Sequence, residues 1–318
     1  MKLLGIDTSN YTTSCAWLDT DTMEIRQRKQ LLPVPEGQAG LRQSDAVFHH
    51  TRQLPPLVEE LMREVGGTPD AIGVSTQPRS AEGSYMPCFL AGQGSARILS
   101  AVLDCPLHET SHQMGHILAA LYSADRLDWL SAAHGPFLAF HVSGGTTDCV
   151  LCTPEKDAVL RILPVAQSLD LKAGQAVDRV GLMLGLQFPC GVELEKLAMQ
   201  SDSKAHARFT LKDGCCSLSG LQNQCEAMLK KGVSAPDIAR YCLNSIAKVL
   251  ADMTKAAVEK TRQSAVLYAG GVMSDKLIQN SLSSLPVDAA FAQPAFSCDN
   301  AAGTAIFAAL SENCLCQC

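Results

Sequence analysis

The sequence predicts an α/β protein with two layered halves around one cleft. Apolar strand segments alternate with amphipathic helical segments along the 318 residues, which is typical of sheets covered by helices. One arrangement occurs twice, at residues 3–18 and 137–151: an apolar strand, a turn rich in Ser, Thr and Gly, and a second strand. No linker rich in Pro, Gly or Ser separates the halves, so we expect a rigid cleft between them.

Hydrophobic spacing predicts the elements between and after these repeats. In residues 50–65 the apolar positions recur at helical spacing, and Pro55 and Pro56 are expected near the first turn of that helix. The other predicted elements are a buried strand at 71–75, a helix of small residues at 89–102, a long amphipathic helix at about 237–261, a core strand at 265–268 and a last helix at 300–310. Gly270 and Gly271 follow the core strand, where open α/β sheets bind ligands.

Composition restricts the class of protein. A net charge of −6 and a pI of about 5.7 do not suit a protein that binds nucleic acid by itself, because phosphate binding relies on clustered Lys and Arg. If the substrate is a nucleic acid, partner proteins should supply positive charge. No apolar run is long enough to span a bilayer, and Asp7 interrupts the first one, so we expect no membrane association and no signal peptide.

The fourteen cysteines then indicate a reducing, cytoplasmic setting with free thiols. Cys149 and Cys152 have metal-knuckle spacing but lie in an apolar strand without a second pair at a suitable distance. Three cysteines crowd the C-terminus and could bind adventitious metal or oxidise: Cys314, Cys316 and Cys318.

His112 and His116 are the candidate metal ligands. Thr110 or Ser111 can cap a helix that begins there, and residues four apart in a helix lie on the same face. Two imidazoles on one face can bind one divalent metal, and Asp299 is the best candidate for the third ligand. The alternatives are a histidine pair without metal, and an Asp299 that caps the last helix.

The two Ser/Thr/Gly turns are candidate phosphate clamps. Backbone N–H groups in such turns point at an anion, and glycine lets the backbone approach closely. The first turn carries Thr8 and Ser9, and the second carries Ser143, Gly144 and Gly145. A pair of ordinary β-hairpins is the alternative.

Beyond these local features, the chain resembles the TsaD/Gcp (YgjD) family, the threonylcarbamoyl transferases of tRNA modification in the actin-like ATPase (ASKHA) superfamily. The segments that match occur in the family's order: residues 5–9 (GIDTS), 112–116 (HQMGH), 142–145 (VSGG), 173–178 (AGQAVD), 184–191 (LGLQFPCG), 269–272 (AGGV) and 298–302 (CDNAA).

The resemblance implies two actin-like, ribonuclease-H-like halves around a nucleotide-binding cleft. Residues 1–134 with 298–318 would form a first subdomain with the metal ligands, and residues 135–297 a second subdomain with the phosphate and adenine loops. It implies one divalent metal (Fe, Zn, Mn or Mg) on His112, His116 and Asp299, and ATP or an adenylate as ligand. The implied nucleotide-binding or substrate-binding residues are Thr8, Ser9, Ser143, Gly144, Gly145, Asp178, Gly191, Gly270, Gly271 and Asp275.

The resemblance also implies the reaction, which passes a threonylcarbamoyl group from its adenylate to N6 of a tRNA adenosine. No protein nucleophile is required, and tRNA is expected to bind only together with partner proteins, one of which could be a paralogous subunit. A small-molecule kinase of the same superfamily would need an acidic base that is not evident here. A glycoprotease-type metallopeptidase is the least favoured alternative, because a zincin needs a glutamate beside its first histidine and Gln113 cannot accept a proton.

Several positions depart from the family pattern. Thr12 and Leu171 stand where the family carries carboxylates, and neither accepts a proton at neutral pH. The other departures are Thr146 for a histidine, Gln175 for a glutamate, Asp275 for an asparagine, and the longer loop at residues 77–88. The loop could bring Arg79 to a phosphate or could be a packing insertion. These changes suggest a divergent paralogue, either active or a non-catalytic partner subunit of the same machinery.

Overall fold

The two strand–turn–strand repeats form the centres of two sheets with the same strand arrangement. The computed structural model describes residues 1–9, 11–33, 41–156 and 158–315. In the described residues the strands are β1 Lys2–Asp7, β2 Thr12–Asp19, β3 Glu24–Leu31, β4 Ala71–Gln77, β5 Leu107–Ser111, β6 Phe137–Val142, β7 Thr147–Glu155, β8 Val159–Gln167, β9 Ala265–Ala269 and β10 Asp288–Phe291. The helices are α1 Gln43–Val65, α2 Phe89–Leu103, α3 His112–Ser123, α4 Ala173–Met183, α5 Gly191–Ala198, α6 Ser219–Lys230, α7 Ala235–Thr261, α8 Lys276–Ser283, α9 Pro294–Ser297 and α10 Ala302–Ser311.

The sheet orders are β3-β2-β1-β4-β5 and β8-β7-β6-β9-β10. In the first sheet β1 is antiparallel to β2 and parallel to β4. In the second sheet β6 is likewise antiparallel to β7 and parallel to β9. The internal repeat expected from the sequence is therefore confirmed at the level of topology, and each repeat supplies the middle strands of its own sheet.

The chain divides into two compact units. The first consists of Met1–Gly135, Pro154–Arg161 and Cys298–Cys318, and the second of Pro136–Thr153 and Ile162–Ser297. The short segment Pro154–Arg161, at the turn between β7 and β8, belongs to the first unit although the residues on either side of it belong to the second. The sequence did not indicate this assignment.

In the first unit, helices cover both faces of the sheet. Leu4 and Ile6 of β1 point to one face, where they pack with Leu54 of α1 and other apolar residues. Gly5 points to the opposite face, where an added Cβ would lie 2.3 Å from the backbone oxygen of Ala301. Because successive side chains in a strand alternate between faces, this glycine lets α10 lie directly on the sheet.

The second unit has an extensive apolar core. The helix α7 crosses it, with Ile246 and Leu250 fully buried among apolar residues of the sheet and of the neighbouring helices. The rings of Phe140, Tyr268 and Phe291, which lie on three adjacent strands, stack in sequence with centroids 5.4 and 5.0 Å apart. These contacts fix β6, β9 and β10 side by side.

One helix start in the sequence prediction was wrong, and another differs slightly. The helix expected to begin near His50 begins at Gln43, so Pro55 and Pro56 lie inside α1 and not in its first turn. The last helix begins at Ala302, two residues later than predicted. The second difference is no larger than the one or two residues by which assignments of a helix end commonly differ.

The cysteine predictions are only partly tested. Cys149 and Cys152 are fully buried in β7, and burial raises the pKa of both thiols. Such thiols resist becoming thiolate ligands. Cys314 is partly buried, and Cys316 and Cys318 lie outside the described residues. In the part of the chain that the structure describes, no helix is long and apolar enough to cross a membrane.

Candidate metal centre and nucleotide loops

The helix α3 presents the histidine pair at its first turn. Ser111 is the N-cap, and its hydroxyl accepts a hydrogen bond from the backbone N–H of Met114 at 3.2 Å. His112 and His116 lie one turn apart with ring centroids 4.2 Å from each other and the rings inclined at 70°. Both residues are buried, with 9% and 8% of their surface exposed. The cap therefore fixes the start of the helix that orients both imidazoles.

Asp299 reaches both histidines from the loop before α10. Its Oδ1 atom lies 3.1 Å from Nε2 of His116 and 3.4 Å from Nε2 of His112. The ligand atoms of the three residues all lie within 4.8 Å of one another. Asn300, not Asp299, contacts the start of the helix, because its Oδ1 accepts a hydrogen bond from the N–H of Ala302 at 3.0 Å. The N-cap of α10 is Ala301, without a side-chain cap, so the observed contact of Asp299 is with the histidines.

A close crossing of α3 and α10 brings these residues together. Gly115 lies between the two histidines in sequence, and Gly303 lies four residues after Asp299. A Cβ on Gly303 would lie only 1.8 Å from the backbone oxygen of Gly115, a distance that no side chain permits. The missing Cβ therefore allows α10 to approach α3 closely enough for the carboxylate and the imidazoles to meet.

Asp7 is a further residue of this centre that the sequence analysis did not assign. It ends β1, is 1% exposed, and its Oδ2 lies 2.8 Å from Nδ1 of His112. The Ser9 hydroxyl lies 2.8 Å from the same nitrogen. The sequence contained a clue, because Asp7 follows Gly5 by two positions and so points to the same face of the sheet, the one that carries α10.

The charges of the cluster are unevenly distributed. For His112, burial lowers the pKa, but the negative charge of Asp7 and hydrogen bonds to Asp299 and Asp7 outweigh it and raise the pKa to about 10. Burial and the nearby His112 charge lower the pKa of His116. For Asp299 and Asp7, burial acts to raise the pKa, yet contacts with the histidines hold both below the usual value. Two carboxylates thus face the two imidazoles, and a cation has a favourable environment there.

The donor set fits a divalent transition metal. Two imidazole nitrogens and one carboxylate oxygen suit Fe, Zn or Mn, and such a set leaves coordination positions for water or substrate. Mg²⁺ prefers oxygen ligands and fits less well. A metal would be held by His112, His116 and Asp299, all of which belong to the first unit.

The side chains of the first Ser/Thr turn form hydrogen bonds with neighbouring elements. Thr8 is fully buried, and its hydroxyl donates to the backbone oxygen of Cys88 and accepts from the N–H of Gly92, both at 3.0 Å. Ser9 is also fully buried and contacts His112. A substrate-binding role for these two residues stays a prediction. In this structure the Thr8 hydroxyl contacts the start of α2 and the Ser9 hydroxyl contacts the candidate ligand His112.

The second turn, in the other unit, has the geometry of an exposed backbone loop. The Ser143 hydroxyl accepts hydrogen bonds from the N–H groups of Gly145 and Thr146, both at 3.2 Å. At Gly144 and Gly145 an added Cβ would meet nothing within 4 Å. By contrast, a Cβ on Gly174 would lie 2.5 Å from the backbone nitrogen of Gly144, so the start of α4 packs tightly beneath the turn. This arrangement leaves the outer side of the turn open to a ligand.

The other predicted nucleotide residues of this unit have varied surroundings. The Asp178 carboxylate accepts a hydrogen bond from the N–H of Cys190 at 2.9 Å, and burial raises its pKa. Gly191 begins α5 with open space beside it. Gly270 has φ +101° and lies against the backbone of Val142, which requires glycine. Their ligand-binding roles are predictions.

Asp275 and Gly271 follow β9 in the same unit. The Asp275 carboxylate caps α8, where its Oδ1 accepts hydrogen bonds from the N–H groups of Leu277 and Ile278 at 2.9 and 3.1 Å. Burial raises the pKa of this carboxyl to about 6. A Cβ on Gly271 would meet nothing within 4 Å. Asp275 thus has a structural partner whether or not it also contacts a nucleotide.

The longer loop at residues 77–88 is attached to the start of α3. The backbone oxygen of Pro78 accepts a hydrogen bond from the N–H of Gln113 at 3.0 Å. The Ser80 hydroxyl donates to the hydroxyl of Ser111 at 2.9 Å. Both contacts lie next to the candidate metal ligands His112 and His116. Of the two roles considered for the loop, packing is therefore observed, and a phosphate contact by Arg79 stays a prediction.

The fold matches solved structures of actin-like ATPases. Full-length HypF in the phosphate- and nucleotide-bound form gives a TM-score of 0.61 at 13% identity, covering 99% of this chain and 46% of that one. A ROK hexokinase from Thermus thermophilus gives a TM-score of 0.54 at 16% identity, covering 98% and 99%. At such identities the likeness establishes the fold alone, and it confirms the predicted fold class.

The sequence comparisons define the family. The model of TsaD, tRNA N6-adenosine threonylcarbamoyltransferase, matches residues 35–306. The chain therefore belongs to the TsaD family. A tRNA N6-adenosine threonylcarbamoyltransferase from Thermus thermophilus is 28% identical over 311 residues, covering 97% of this chain and 92% of that protein. One from Archaeoglobus fulgidus is 24% identical over 283 residues, covering 89% and 81%.

Proposed function

We propose that this chain is a metal-dependent transferase that passes the threonylcarbamoyl group of threonylcarbamoyl-adenylate to N6 of a tRNA adenosine. Membership of the TsaD family supports this class of reaction. The observation that carries the proposal is the convergence of His112, His116 and Asp299, whose ligand atoms lie within 4.8 Å of one another. Three ligand groups of suitable chemistry in a buried cluster are hard to explain in a protein that has only a scaffolding role.

The difficulty of the reaction lies in its nucleophile. The exocyclic amine of adenine is weakly nucleophilic, so the barrier falls mainly when the departing adenylate is stabilised and the amine is positioned in line. A metal bound to the His-His-Asp cluster would supply Lewis-acid stabilisation of negative charge on the phosphate. The side chains of His112, His116 and Asp299 would hold that ion in place. No protein nucleophile is needed, because the mixed anhydride is already activated.

The adenine nucleotide, either ATP or the adenylate, would bind to the second unit. The turn at Ser143, Gly144 and Gly145 exposes glycine backbone with no side-chain obstruction, which suits close approach of a phosphate. The N–H groups of Gly145 and Thr146 would exchange their bonds to the Ser143 hydroxyl for bonds to that phosphate. We assign Asp178, Gly191, Gly270, Gly271 and Asp275 to the sugar and base side of the same ligand. Thr8 and Ser9 of the first unit would support the substrate site through their buried hydroxyls.

The tRNA would bind in a complex with partner proteins. The chain carries a net charge of −6, which opposes binding of the polyanionic tRNA by this chain alone. Partner subunits with positive surfaces would supply that attraction, and a paralogous subunit is one such partner. We place the protein in the cytoplasm, where tRNA is modified.

A second candidate function is a non-catalytic partner subunit that still binds nucleotide. It is favoured by the loss of acidic groups, because Thr12 and Leu171 are only 6% and 7% exposed and neither can take up a proton. Both residues pack as small or apolar side chains in these positions. Under this proposal the chain is a divergent paralogue whose metal centre has a structural purpose.

A transfer assay separates the two candidates. The purified chain, candidate partner subunits, threonylcarbamoyl-adenylate and unmodified tRNA are incubated together, and modified adenosine is measured by mass spectrometry. We expect product with the natural chain, none with His112→Ala, and product with His134→Ala, whose imidazole stacks on Trp129 outside the cluster. If the natural chain gives no product with its partners while retaining metal and nucleotide, the non-catalytic function is the correct one.

A further inference from the structure

We infer that Asp7 is a positioning residue for the metal centre: it holds the Nδ1–H of His112 so that Nε2 presents its lone pair to the metal. The inference rests on the metal centre proposed above. Neither the histidine spacing nor the acidic ligand points to this residue, which lies 105 positions before His112 in the sequence. The contact is created by the fold alone.

The Asp7 carboxylate is held at both oxygens. Its Oδ1 accepts a hydrogen bond from the N–H of Ser9 at 2.7 Å, and its Oδ2 lies 2.8 Å from Nδ1 of His112. The side chain is almost completely buried at the end of β1. A carboxylate with a fixed partner at each oxygen cannot rotate away, so it gives the imidazole a rigid hydrogen-bond acceptor.

The other nitrogen of the same ring faces the metal ligands. Nε2 of His112 lies 3.4 Å from Oδ1 of Asp299, which is itself 3.1 Å from Nε2 of His116. An imidazole that donates its Nδ1–H can bind a metal only through Nε2. Acceptors on the far side of metal-bound histidines generally fix the ring and increase its basicity, and their loss weakens metal binding about 10- to 100-fold.

The Ser9 hydroxyl supports the same arrangement. It lies 2.8 Å from Nδ1 of His112, so it can share the proton that Asp7 accepts. A neutral hydroxyl is a weaker acceptor than a carboxylate, and we therefore expect Asp7 to contribute the greater part. Ser9 also helps to hold Asp7, because its own N–H bonds Oδ1 of that carboxylate.

The chain offers a matched control in a second histidine–carboxylate pair. Nε2 of His108 lies 2.7 Å from Oε1 of Glu312 in the same unit. Asp299 and Glu312 lie at opposite ends of α10, and its ten residues span about 15 Å. Glu312→Gln therefore removes a charge from an equivalent pair without touching the metal centre.

The test measures Co²⁺ binding to the metal-stripped full-length chain by titration and by the visible absorption of the bound ion. We expect Asp7→Asn to weaken Co²⁺ binding about 10- to 100-fold and to change the absorption bands. Ser9→Ala should cause a smaller loss, and Glu312→Gln should leave the affinity unchanged. Asp7→Glu keeps the acceptor and should recover part of the affinity. Thermal unfolding of each stripped variant shows whether the fold is retained.

A second readout does not depend on affinity. In the Zn²⁺-loaded protein labelled with ¹⁵N-histidine, His112 should show a protonated Nδ1 and a metal-bound Nε2, and Asp7→Asn should shift the Nδ1–H resonance. The inference is overturned if Asp7→Asn binds Co²⁺ like the natural chain, if Ser9→Ala has the larger effect, or if Nδ1 is the metal-bound nitrogen. Absence of Co²⁺ binding by the natural chain would overturn the metal centre of the proposed function itself, a different result from an unaffected Asp7 variant.

Discussion

Replacing Gly303 with alanine should separate α10 from α3 and destroy metal binding. The new Cβ would lie 1.8 Å from the backbone oxygen of Gly115 and 2.6 Å from its Cα, whereas ordinary contact begins near 3.4 Å. Neither atom belongs to a flexible side chain, so the helices themselves must move by about 1.6 Å, the difference between the two distances. Overpacking of this kind costs about 1–3 kcal/mol of unfolding free energy.

The consequence for the metal centre follows from its dimensions. His116 Nε2 and Asp299 Oδ1 are 3.1 Å apart, and they stand on opposite sides of the helix crossing. A separation of the helices by that displacement would carry Asp299 away from the imidazole of His116, so the three ligand atoms could no longer converge on one ion. The ion would lose at least one ligand.

The assay is calorimetric titration of the metal-stripped protein with Zn²⁺, with thermal unfolding measured in parallel. Gly303→Ala should lose measurable binding and unfold at a lower temperature. Two alanine variants serve as controls: at Gly115 the added Cβ would be 3.7 Å from Thr304 Cγ2, and at Gly94 of α2 it would meet nothing within 4 Å. Both should bind Zn²⁺ normally. Unchanged affinity and stability in Gly303→Ala would refute the argument that this crossing assembles the site.

Three further predictions follow from other contacts. The Asp275 carboxyl has a pKa of about 6 in the folded protein, above its ordinary 3.8, so the stability that its protonated form contributes is lost as pH rises between these values. Asp275→Asn keeps the helix cap and should raise the unfolding free energy, measured by urea titration, by about 1–3 kcal/mol at pH 7.5 and by nearly nothing at pH 3.5. An equal gain at both pH values would contradict the burial argument. Gly144→Ala should leave the thermal stability of the ligand-free protein unchanged, since nothing lies within 4 Å of the added Cβ, but should reduce the thermal stabilisation by ATP or AMP. Full stabilisation by either nucleotide would show that the turn is not part of the binding site. Ser111→Ala should lower the unfolding free energy by about 1 kcal/mol through loss of the α3 cap. Tryptophan fluorescence can follow the unfolding, because both tryptophans, Trp17 and Trp129, belong to the first unit. An unchanged unfolding free energy would show that the cap is not needed.

The sequence indicated the elements well where the pattern was long and regular. The amphipathic stretch predicted at 237–261 is the helix Ala235–Thr261, and the apolar runs at the two repeats are central strands. Such segments bury one face or a whole strand, so their periodicity is read directly from the order of residues. The start of α1 was missed because Pro55 and Pro56 suggested a first turn, whereas the helix accommodates them in its interior.

For the candidate site, the sequence determined the histidine pair, because residues four apart on one helix need only local structure to meet. The chain order also placed the Ser/Thr/Gly turns at the head of each half, where short loops follow central strands. Only the tertiary structure decided that Asp7 meets His112 and that Asp299 meets both histidines. Those contacts join residues more than a hundred positions apart, and they depend on glycines whose missing side chains let α10 approach the sheet and α3. Close approach of this kind is a property of packed elements in three dimensions, and local sequence pattern carries no record of which elements will pack.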